Sequence, residues 1–225
     1  QVNKFNDSIH LTMDNIDYPA KTKNSVLTFI RHGQTDSNLG GIWQGHIDNP
    51  LNETGVAEAR SLNNLFRDYD VNVSSPYKRA HQTLSLIINN DIQTSKELTE
   101  MNLGKWEGLT TTEILEKYQK QFIEALFLNH KSKYGIDGES IHEAGARVEK
   151  FINKFENNKI LMASHGGTIK SAVTKLIQSP ESNAAAAFTI PNNLGVSCLV
   201  PKDNKYFLWS YNVGKIGYEN ISYNK

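Results

Sequence analysis

VLTFIRHGQT, residues 26–35, is an apolar run that passes directly into a polar loop. Residues 26–30 are few, apolar on both faces and rich in β-branched and aromatic side chains, which is typical of a strand buried in the middle of a parallel sheet. Arg31 and His32 therefore leave the sheet at the carboxyl end of this strand, where ligands gather in α/β folds. Gly33 has no side chain, so the backbone can approach a ligand closely there.

Helical and extended patterns alternate along the rest of the chain. Apolar side chains recur at helical spacing in residues 56–69, 76–88, 110–129, 140–156 and 168–178. Short apolar runs predict further strands at residues 71–73, 160–163, 196–200 and 206–211. Asn52 or Thr54 is available to cap the first helix, and Ser75 to cap the second, with Pro76 in its first turn. The last two strands flank Asp203-Asn204, a plausible hairpin turn.

This order of elements predicts an α/β fold. We expect a single three-layer domain with a mixed, mostly parallel central sheet flanked by helices. The helical patterns on either side of the turn at residues 135–138 form a small helical cap over one edge of the sheet. Residues 1–24 are polar and aperiodic, and we interpret them as an N-terminal strap or tail ahead of a domain that spans residues 25–225.

Composition excludes several classes of partner. The 225 residues carry 24 Lys+Arg and 24 Asp+Glu, so no global field attracts nucleic acid or an anionic membrane. No apolar stretch approaches the roughly 18 residues of a spanning helix. The single cysteine, Cys198, cannot form an internal disulfide, which favours a cytoplasmic location. Because the chain begins with Gln1, the sequence leaves open whether a leader was removed.

Four side chains are candidates for a phosphate site at the strand ends. A neutral imidazole attacks phosphorus, and positive charge near it disfavours protonation of the ring, so His32 beside Arg31 is the candidate nucleophile. Arg79 can grip phosphate oxygens through a forked contact. His165 precedes Gly166-Gly167 at the start of a helix, where backbone N–H groups are expected to face the same anion.

Phosphoryl transfer also needs a group that protonates the departing alkoxide and then deprotonates water. Glu100, in the segment LTEMNLGKWEG at residues 98–108, is our candidate. Glu97 and Glu107 lie close to it in the sequence, and composition does not separate the three.

Taken in order, these motifs resemble the histidine phosphatase superfamily, in the branch similar to cofactor-dependent phosphoglycerate mutases and their phosphatase relatives. The resemblance extends from about residue 25 to 212. The matching elements are Arg31-His32-Gly33-Gln34-Thr35 with Asn38, Gln44-Gly45 before Asp48-Asn49-Pro50-Leu51, Gly55, Ser74-Ser75 with Arg79-Ala80 and Gln82-Thr83, Leu98 and Glu100 with Gly104-Lys105-Trp106-Glu107-Gly108, Gly138-Glu139-Ser140 with Arg147, and Ser164-His165-Gly166-Gly167.

The resemblance implies a role for each site residue. His32 would become phosphorylated, Glu100 would be the proton donor, and Arg31, Arg79 and His165 would bind the phosphoryl group. The residues that match positions around phosphate and substrate are Asn38, Gln44, Gly45 and Gly166. Arginine and imidazole charge can stabilise the transferring group, so neither a metal nor another cofactor is expected.

A phosphatase is the leading functional hypothesis, acting on a small phosphorylated metabolite. The alternative is a phosphoglycerate mutase, which would need a bisphosphoglycerate primer. A third hypothesis is a non-catalytic module that binds a phospho-ligand or a partner. Mutases of the family usually carry paired arginines after the Glu100-like residue, whereas residues 109–137 contain none, although Lys131 and Lys133 are available. The alcohol half of the substrate and a homodimer through residues 1–24 or the hairpin edge stay open.

Overall fold

The apolar run ahead of the loop that carries His32 forms an inner strand of a sheet, β1 (Val26–Arg31). Leu27, Phe29 and Ile30 are fully buried, because helices cover both faces of the sheet at this point. The computed structural model describes residues 25–63, 65–177, 188–203 and 205–214. The predicted strap at residues 1–24 and the turn residue Asn204 lie outside these ranges.

Six strands and six α-helices form in the described ranges. The strands after β1 are β2 (Val71–Ser74), β3 (Gln93–Thr94), β4 (Lys159–Ser164), β5 (Val196–Lys202) and β6 (Lys205–Val213). The helices are α1 (Asp36–Leu39), α2 (Glu53–Ser61), α3 (Lys78–Ile87), α4 (Thr111–Ile123), α5 (Ile141–Ile152) and α6 (Gly166–Leu176). Among these helices and strands, none is long and apolar enough to cross a membrane.

The strands join in one sheet in the order β3-β2-β4-β1-β5-β6. β1 and β2 both run parallel to β4, and β3 runs parallel to β2, whereas β5 pairs antiparallel with β1 and with β6. The predicted mixed, mostly parallel sheet is therefore confirmed. Its three parallel neighbours β2, β4 and β1 end at the same edge, where Arg31 pairs with Ser164 and Ser74 pairs with Ala163.

Two apolar clusters lie on opposite faces of the sheet, and a third lies in the cap. α5 and α6 pack on the face that holds Leu27 and Phe29, and α2 and α3 pack on the face that holds Ile30. The cap cluster has Trp106 at its centre, with no exposed surface, and is separate from the other two. The expected three layers are present, but only the first of the two helices expected in the cap, α4, lies there: α5 touches the cap cluster at Ile141 and Ala144 and packs the rest of its apolar side on the sheet.

Helices α4 and α5 each begin at a reciprocal hydrogen-bond cap. Thr110 and Glu113 cap α4, and Ser140 and Glu143 cap α5, each through a side-chain oxygen on one residue and a backbone N–H of the other. α4 continues into a single π-helical turn at residues 124–128, so the predicted helix at 110–129 changes type before it ends.

Two local predictions were wrong. The first flanking helix ends at Ser61 rather than residue 69: Leu62 is its C-cap, and the chain after it turns again at Asp68, whose φ is 61°. Phe66 and Tyr69 keep their helical spacing only because both pack on the same apolar cluster from the loop. The second helix has Tyr77 as its cap residue, without a side-chain hydrogen bond, and Ser75 does not cap it.

Candidate active site

The ends of β1, β2 and β4 bring two of the predicted site residues, His32 and His165, together. The backbone N–H of His32 donates to Ser164 O at 3.0 Å, and that of Ser75 donates to Ala163 O at 2.9 Å. His165 follows Ser164 directly, and its ring centroid lies 5.2 Å from that of His32. Parallel pairing, rather than sequence proximity, therefore places the two imidazoles side by side.

His32 is buried and carries its proton on a defined nitrogen. Nδ1 lies 2.7 Å from the carbonyl oxygen of Gly33, which only accepts, so Nδ1 holds the proton and Nε2 keeps a free lone pair. Burial lowers the pKa of His32 well below 6.5, and the charges of Arg31 and Arg79 lower it further. The ring is neutral at physiological pH, and the larger cause is burial, which sequence reasoning had not included.

The loop that carries His32 is fastened by two residues to which sequence reasoning gave no role. Thr83 Oγ1 accepts from the Gly33 N–H at 2.9 Å, and its own hydroxyl donates to Arg79 O at 2.7 Å. Asn193 Nδ2 donates to the carbonyls of His32 and Gly33 at 2.9 and 3.1 Å. Thr83 belongs to the ordered motif set, whereas Asn193 carries no motif signal and is recognisable only in the folded chain.

Arg79 is almost fully buried, with 1% exposure, and each of its three side-chain nitrogens donates one hydrogen bond. Nε donates to His165 Nδ1 at 3.1 Å, Nη1 to Ile47 O at 2.7 Å and Nη2 to Gly45 O at 2.9 Å. Burial lowers the pKa of Arg79, and the charge of Glu100 acts in the opposite direction. The guanidinium is therefore positioned in advance as a rigid cation at the strand ends.

His165 has the opposite tautomer to His32. Its Nδ1 accepts from Arg79, so the proton is on Nε2, which lies 2.8 Å from Ser75 Oγ. This bond explains why Ser75 orients a histidine instead of capping α3. Burial lowers the pKa of His165 well below 6.5, with Arg79 and then His32 as the next causes.

Arg31 has one buried donor without a partner among the described residues. Nη1 donates to Pro191 O at 2.5 Å, but Nε is buried and makes no hydrogen bond. A side chain on Gly166 would lie 3.4 Å from that Nε, so the donor sits against the first residue of α6. A buried N–H that lacks a partner is unfavourable, and an anion at this position would satisfy it.

Glu100 occupies the N-terminus of α6. Its Oε1 accepts from the N–H groups of Met101 and Thr168 at 2.9 and 3.0 Å and lies 3.2 Å from the Thr168 hydroxyl. Its Oε2 accepts only the longer bond from Gly167 N–H, at 3.2 Å. The N–H groups of Gly167 and Thr168 therefore bond to the Glu100 carboxylate, whose negative charge suits this end of the helix, and the contact of Gly166 with an anion stays a prediction.

The two competing glutamates are placed elsewhere. Glu107 Oε2 accepts from the backbone N–H of His46 at 3.1 Å, and Glu97 contributes its backbone carbonyl to Arg147. Glu100 is the one of the three whose charge acts on both Arg31 and Arg79, where it opposes the lowering of each pKa by burial.

Asn38, Gln44 and Gly45 make contacts that organise the same loop. The Thr35 hydroxyl lies 3.1 Å from the side-chain oxygens of both Asn38 and Gln44. Gly45 has a φ of 51°, and a side chain there would meet the Glu107 carboxylate at 2.5 Å. Their contact with substrate stays a prediction, as does that of Gly166. Within the described ranges, no group of three or more His, Cys, Asp or Glu side chains is arranged to hold a metal ion.

This combination of fold and motifs matches one family model and several known proteins. The model of the histidine phosphatase superfamily (branch 1) matches residues 27–214. An adenosylcobalamin/alpha-ribazole phosphatase of Escherichia coli (strain K12) is 29% identical over 163 residues, 68% of this chain and 80% of that protein. A 2,3-bisphosphoglycerate-dependent phosphoglycerate mutase of Cytophaga hutchinsonii is 31% identical over 173 residues, 71% of this chain and 81% of that protein.

A solved structure extends the likeness to three dimensions. Phosphoserine phosphatase from Entamoeba histolytica, in complex with 3-phosphoglyceric acid, has a TM-score of 0.75 at 26% identity, covering 85% of this chain and 98% of that chain. The relatives therefore include phosphatases and a mutase that share the fold over most of its length.

Proposed function

Because the chain belongs to branch 1 of the histidine phosphatase superfamily, we propose that it hydrolyses phosphomonoesters through a phosphohistidine on His32. The observation that carries the proposal is the buried, neutral imidazole whose Nε2 is free while Arg79 and His165 are fixed beside it. A nucleophile with an available lone pair and a neighbouring cation is the arrangement that phosphoryl transfer needs.

In the first step, Nε2 of His32 forms a bond to phosphorus and the bond between phosphorus and the ester oxygen breaks. The electron pair of that bond passes to the oxygen, and Glu100 delivers a proton to it, so an alcohol departs. Oε1 of Glu100 accepts from two backbone N–H groups, whereas Oε2 accepts one longer hydrogen bond; the Thr168 hydroxyl donates its single proton to Thr99 O at 2.7 Å. Oε2 is therefore the oxygen that carries the proton in this proposal.

In the second step, water attacks the phosphohistidine. Glu100, now a carboxylate, takes a proton from the water, the bond between phosphorus and Nε2 breaks, and inorganic phosphate leaves. The nitrogen regains its lone pair, and the bond from Nδ1 to Gly33 O is unchanged throughout. The enzyme thus returns to its starting state with one ester hydrolysed per cycle.

The cations stabilise the charge that spreads over the transferring group. Arg79 is locked by three acceptors and needs no reorganisation during reaction, and the unpaired Nε of Arg31 gains a partner when the oxyanion binds. We propose that these side chains, with His165, serve in place of a metal ion.

Hydrolysis is favoured over mutase chemistry by the charges in the cap. A mutase must bind a second anionic group on its acceptor, and Lys131 and Lys133 are the cap cations that the sequence offers for it. Lys133 Nζ lies 2.5 and 2.6 Å from the two oxygens of Glu143, so its charge is already neutralised. This pairing leaves the cap poorly suited to a bisphosphate, which supports water as the acceptor.

Rapid acid-free quenching with a phosphorus-labelled ester tests the proposal. The wild type should carry label that is stable to base and released by acid, as expected for a bond between phosphorus and nitrogen, and His32→Asn should carry none and release no phosphate. The same assay with phosphoglycerate and a bisphosphoglycerate primer measures isomerisation, and isomerised product in excess of free phosphate would establish a mutase. Activity that disappears with a chelator and returns with a metal would refute the metal-free part, and a wild type without turnover on any ester would favour the binding-module reading.

A further inference from the structure

A cavity of about 370 Å³ lies on the cap side of Glu100. Thr99 and Asn102, which line it, flank Glu100 in the chain, and the lining residue His46 has its Nε2 3.2 Å from the Glu100 backbone carbonyl. Ligand pockets range from roughly 300 to 1,000 Å³, so this volume suits a sugar-sized group. The cavity therefore adjoins the backbone of the loop that carries Glu100, while the Glu100 carboxylate itself contacts the start of α6 and is not part of the lining.

The charged side chains that line the cavity are paired with one another. Lys133 Nζ contacts both carboxylate oxygens of Glu143, and Arg147 Nε and Nη2 contact the two oxygens of Glu139 at 2.8 and 3.0 Å. Two positive and two negative side chains leave the lining with no net charge. A carboxylate or second phosphate that enters the cavity would therefore meet two carboxylates, and the two cations there are already paired with them.

The two ion pairs differ in how easily they can rearrange. Arg147 also donates to the backbone carbonyls of Glu97 and Thr99 and to the Thr168 hydroxyl, so it is fixed to the loop that carries Glu100. The side chains of Lys133 and Glu143 are 46% and 45% exposed. They bond to each other, and Glu143 also bonds to Ser140 in the cap of α5. Lys133 is therefore the cation that could be released to a substrate, and Glu143 prevents its release.

We propose that this cavity binds the alcohol half of the substrate and selects an uncharged, hydroxyl-bearing group, with Glu143 as the residue that excludes a second anion. The inference rests on the proposed function and names its substrate class. Hydroxyl groups donate to the carboxylates of Glu139 and Glu143 and accept from the Asn102 amide, so a polyol satisfies the lining without breaking an ion pair. The lowering of the pKa of Glu143 to about 2, mainly by its hydrogen bond to Lys133, agrees with a tight pair.

A matched pair of esters tests the selection. Sorbitol 6-phosphate and 6-phosphogluconate differ only at C1, which is a hydroxymethyl group in the first and a carboxylate in the second. We expect the wild type to have a kcat/KM for sorbitol 6-phosphate on the order of tenfold higher. A wild type that prefers 6-phosphogluconate, or that prefers the zwitterionic phosphoserine to both, would overturn the inference.

The variant Glu143→Gln tests the residue. Glutamine serves equally well as the third residue of the α5 capping box, so the helix keeps its start while the lining gains one net positive charge. The ratio of kcat/KM for 6-phosphogluconate to that for sorbitol 6-phosphate should rise on the order of fivefold to tenfold, mainly through KM, because a remote group binds ground state and transition state alike. An unchanged ratio would contradict the role of Glu143.

Two controls make the readout specific. Glu116→Gln removes the same charge from an exposed position on α4 outside the cavity and should leave both substrates unchanged. Adding Lys133→Met to Glu143→Gln should abolish the gain, because the released cation is then absent. If His32→Asn still hydrolyses both esters, the proposed function fails, whereas hydrolysis that needs His32 but shows no change of ratio refutes only the inference about the cavity.

Discussion

Replacing Glu100 by Gln should separate the two proposed chemical steps. Glutamine can place its carbonyl oxygen where Oε1 lies and keep the donors Met101 N–H and Thr168 N–H, while its NH₂ replaces Oε2 opposite the Gly167 N–H. Only the longest of these bonds, at 3.2 Å, is lost. The free energy of unfolding should therefore fall by about 1–3 kcal/mol at most, the usual effect of one unsatisfied buried group.

The expected loss of activity depends on the leaving group. General acid catalysis contributes on the order of 10²–10⁴ in rate, so kcat/KM for an alkyl ester such as sorbitol 6-phosphate should fall by that factor, equivalent to about 3–5 kcal/mol. p-Nitrophenolate departs without a proton donor, so the first step should survive with p-nitrophenyl phosphate. Hydrolysis of the phosphohistidine still needs Glu100 as the base that deprotonates water, so the phosphohistidine should accumulate in the variant.

Stopped-flow absorbance measures the release of p-nitrophenolate in the first turnover and in later turnovers. Glu100→Gln should release a burst of about one p-nitrophenolate per active site, followed by slow turnover, whereas Glu107→Gln, the same change at the neighbouring competitor, should show steady wild-type-like turnover. Alkyl ester hydrolysis by Glu100→Gln at the wild-type rate would refute the assignment. A burst in Glu107→Gln instead would transfer the role to that residue.

The site makes three further predictions. Arg79→Lys replaces three fixed donors by one ammonium group, so kcat/KM for p-nitrophenyl phosphate should fall by a factor on the order of 10²–10³. Steady-state kinetics measure this loss, and a loss smaller than about threefold would contradict the role of Arg79. Burial lowers the pKa of His32 and His165, so both rings stay neutral in the folded protein but bind protons below about pH 6.5 in the unfolded chain. The free energy of unfolding should therefore fall as the pH falls from about 7.5 to 5.5, with a slope that approaches about 2.7 kcal/mol per pH unit. Urea melts at a series of pH values measure this slope, and a flat profile would count against burial of both rings. Gly55→Ala would place a side chain 2.2 Å from Gln34 O, so thermal melts should show a loss of about 1–3 kcal/mol together with reduced phosphatase activity, and a wild-type melting temperature would show that the loop yields freely.

The sequence predicts the fold well where one periodicity dominates. β1 and β4 are apolar on both faces, which identifies them as inner strands, and the rule that ligands gather at strand ends then places His32 and His165 together. The ends of α2 and α3 were less predictable. Phe66 continues the apolar spacing of α2 after the helix has ended, because packing on a cluster requires position and not helical hydrogen bonds.

Side-chain hydrogen bonding in the site was the part that sequence could not supply. Ser75 has two plausible uses, as a helix cap or as a partner for His165, and only the geometry of β2 and β4 decides between them. Glu100 likewise competes with a ligand for the N–H groups of α6, and the competition depends on how the cap positions the loop. Such choices arise between segments that are distant in sequence, where local propensity has no influence.

The closure of the nucleophile loop by Asn193 also sets the order in which the protein can be made. Asn193 lies 161 positions after His32, and the next residue, Leu194, donates to the Arg31 carbonyl at 3.1 Å. During synthesis, both edges of β1 lack their partners until β4 is made, and the edge that pairs with β5 stays unpaired until the last strands follow; contacts of such long sequence separation form slowly. A ribosome-bound chain that stops before Asn193 has its nucleophile but not the loop that fastens it, so activity should emerge only when the last strands have been translated.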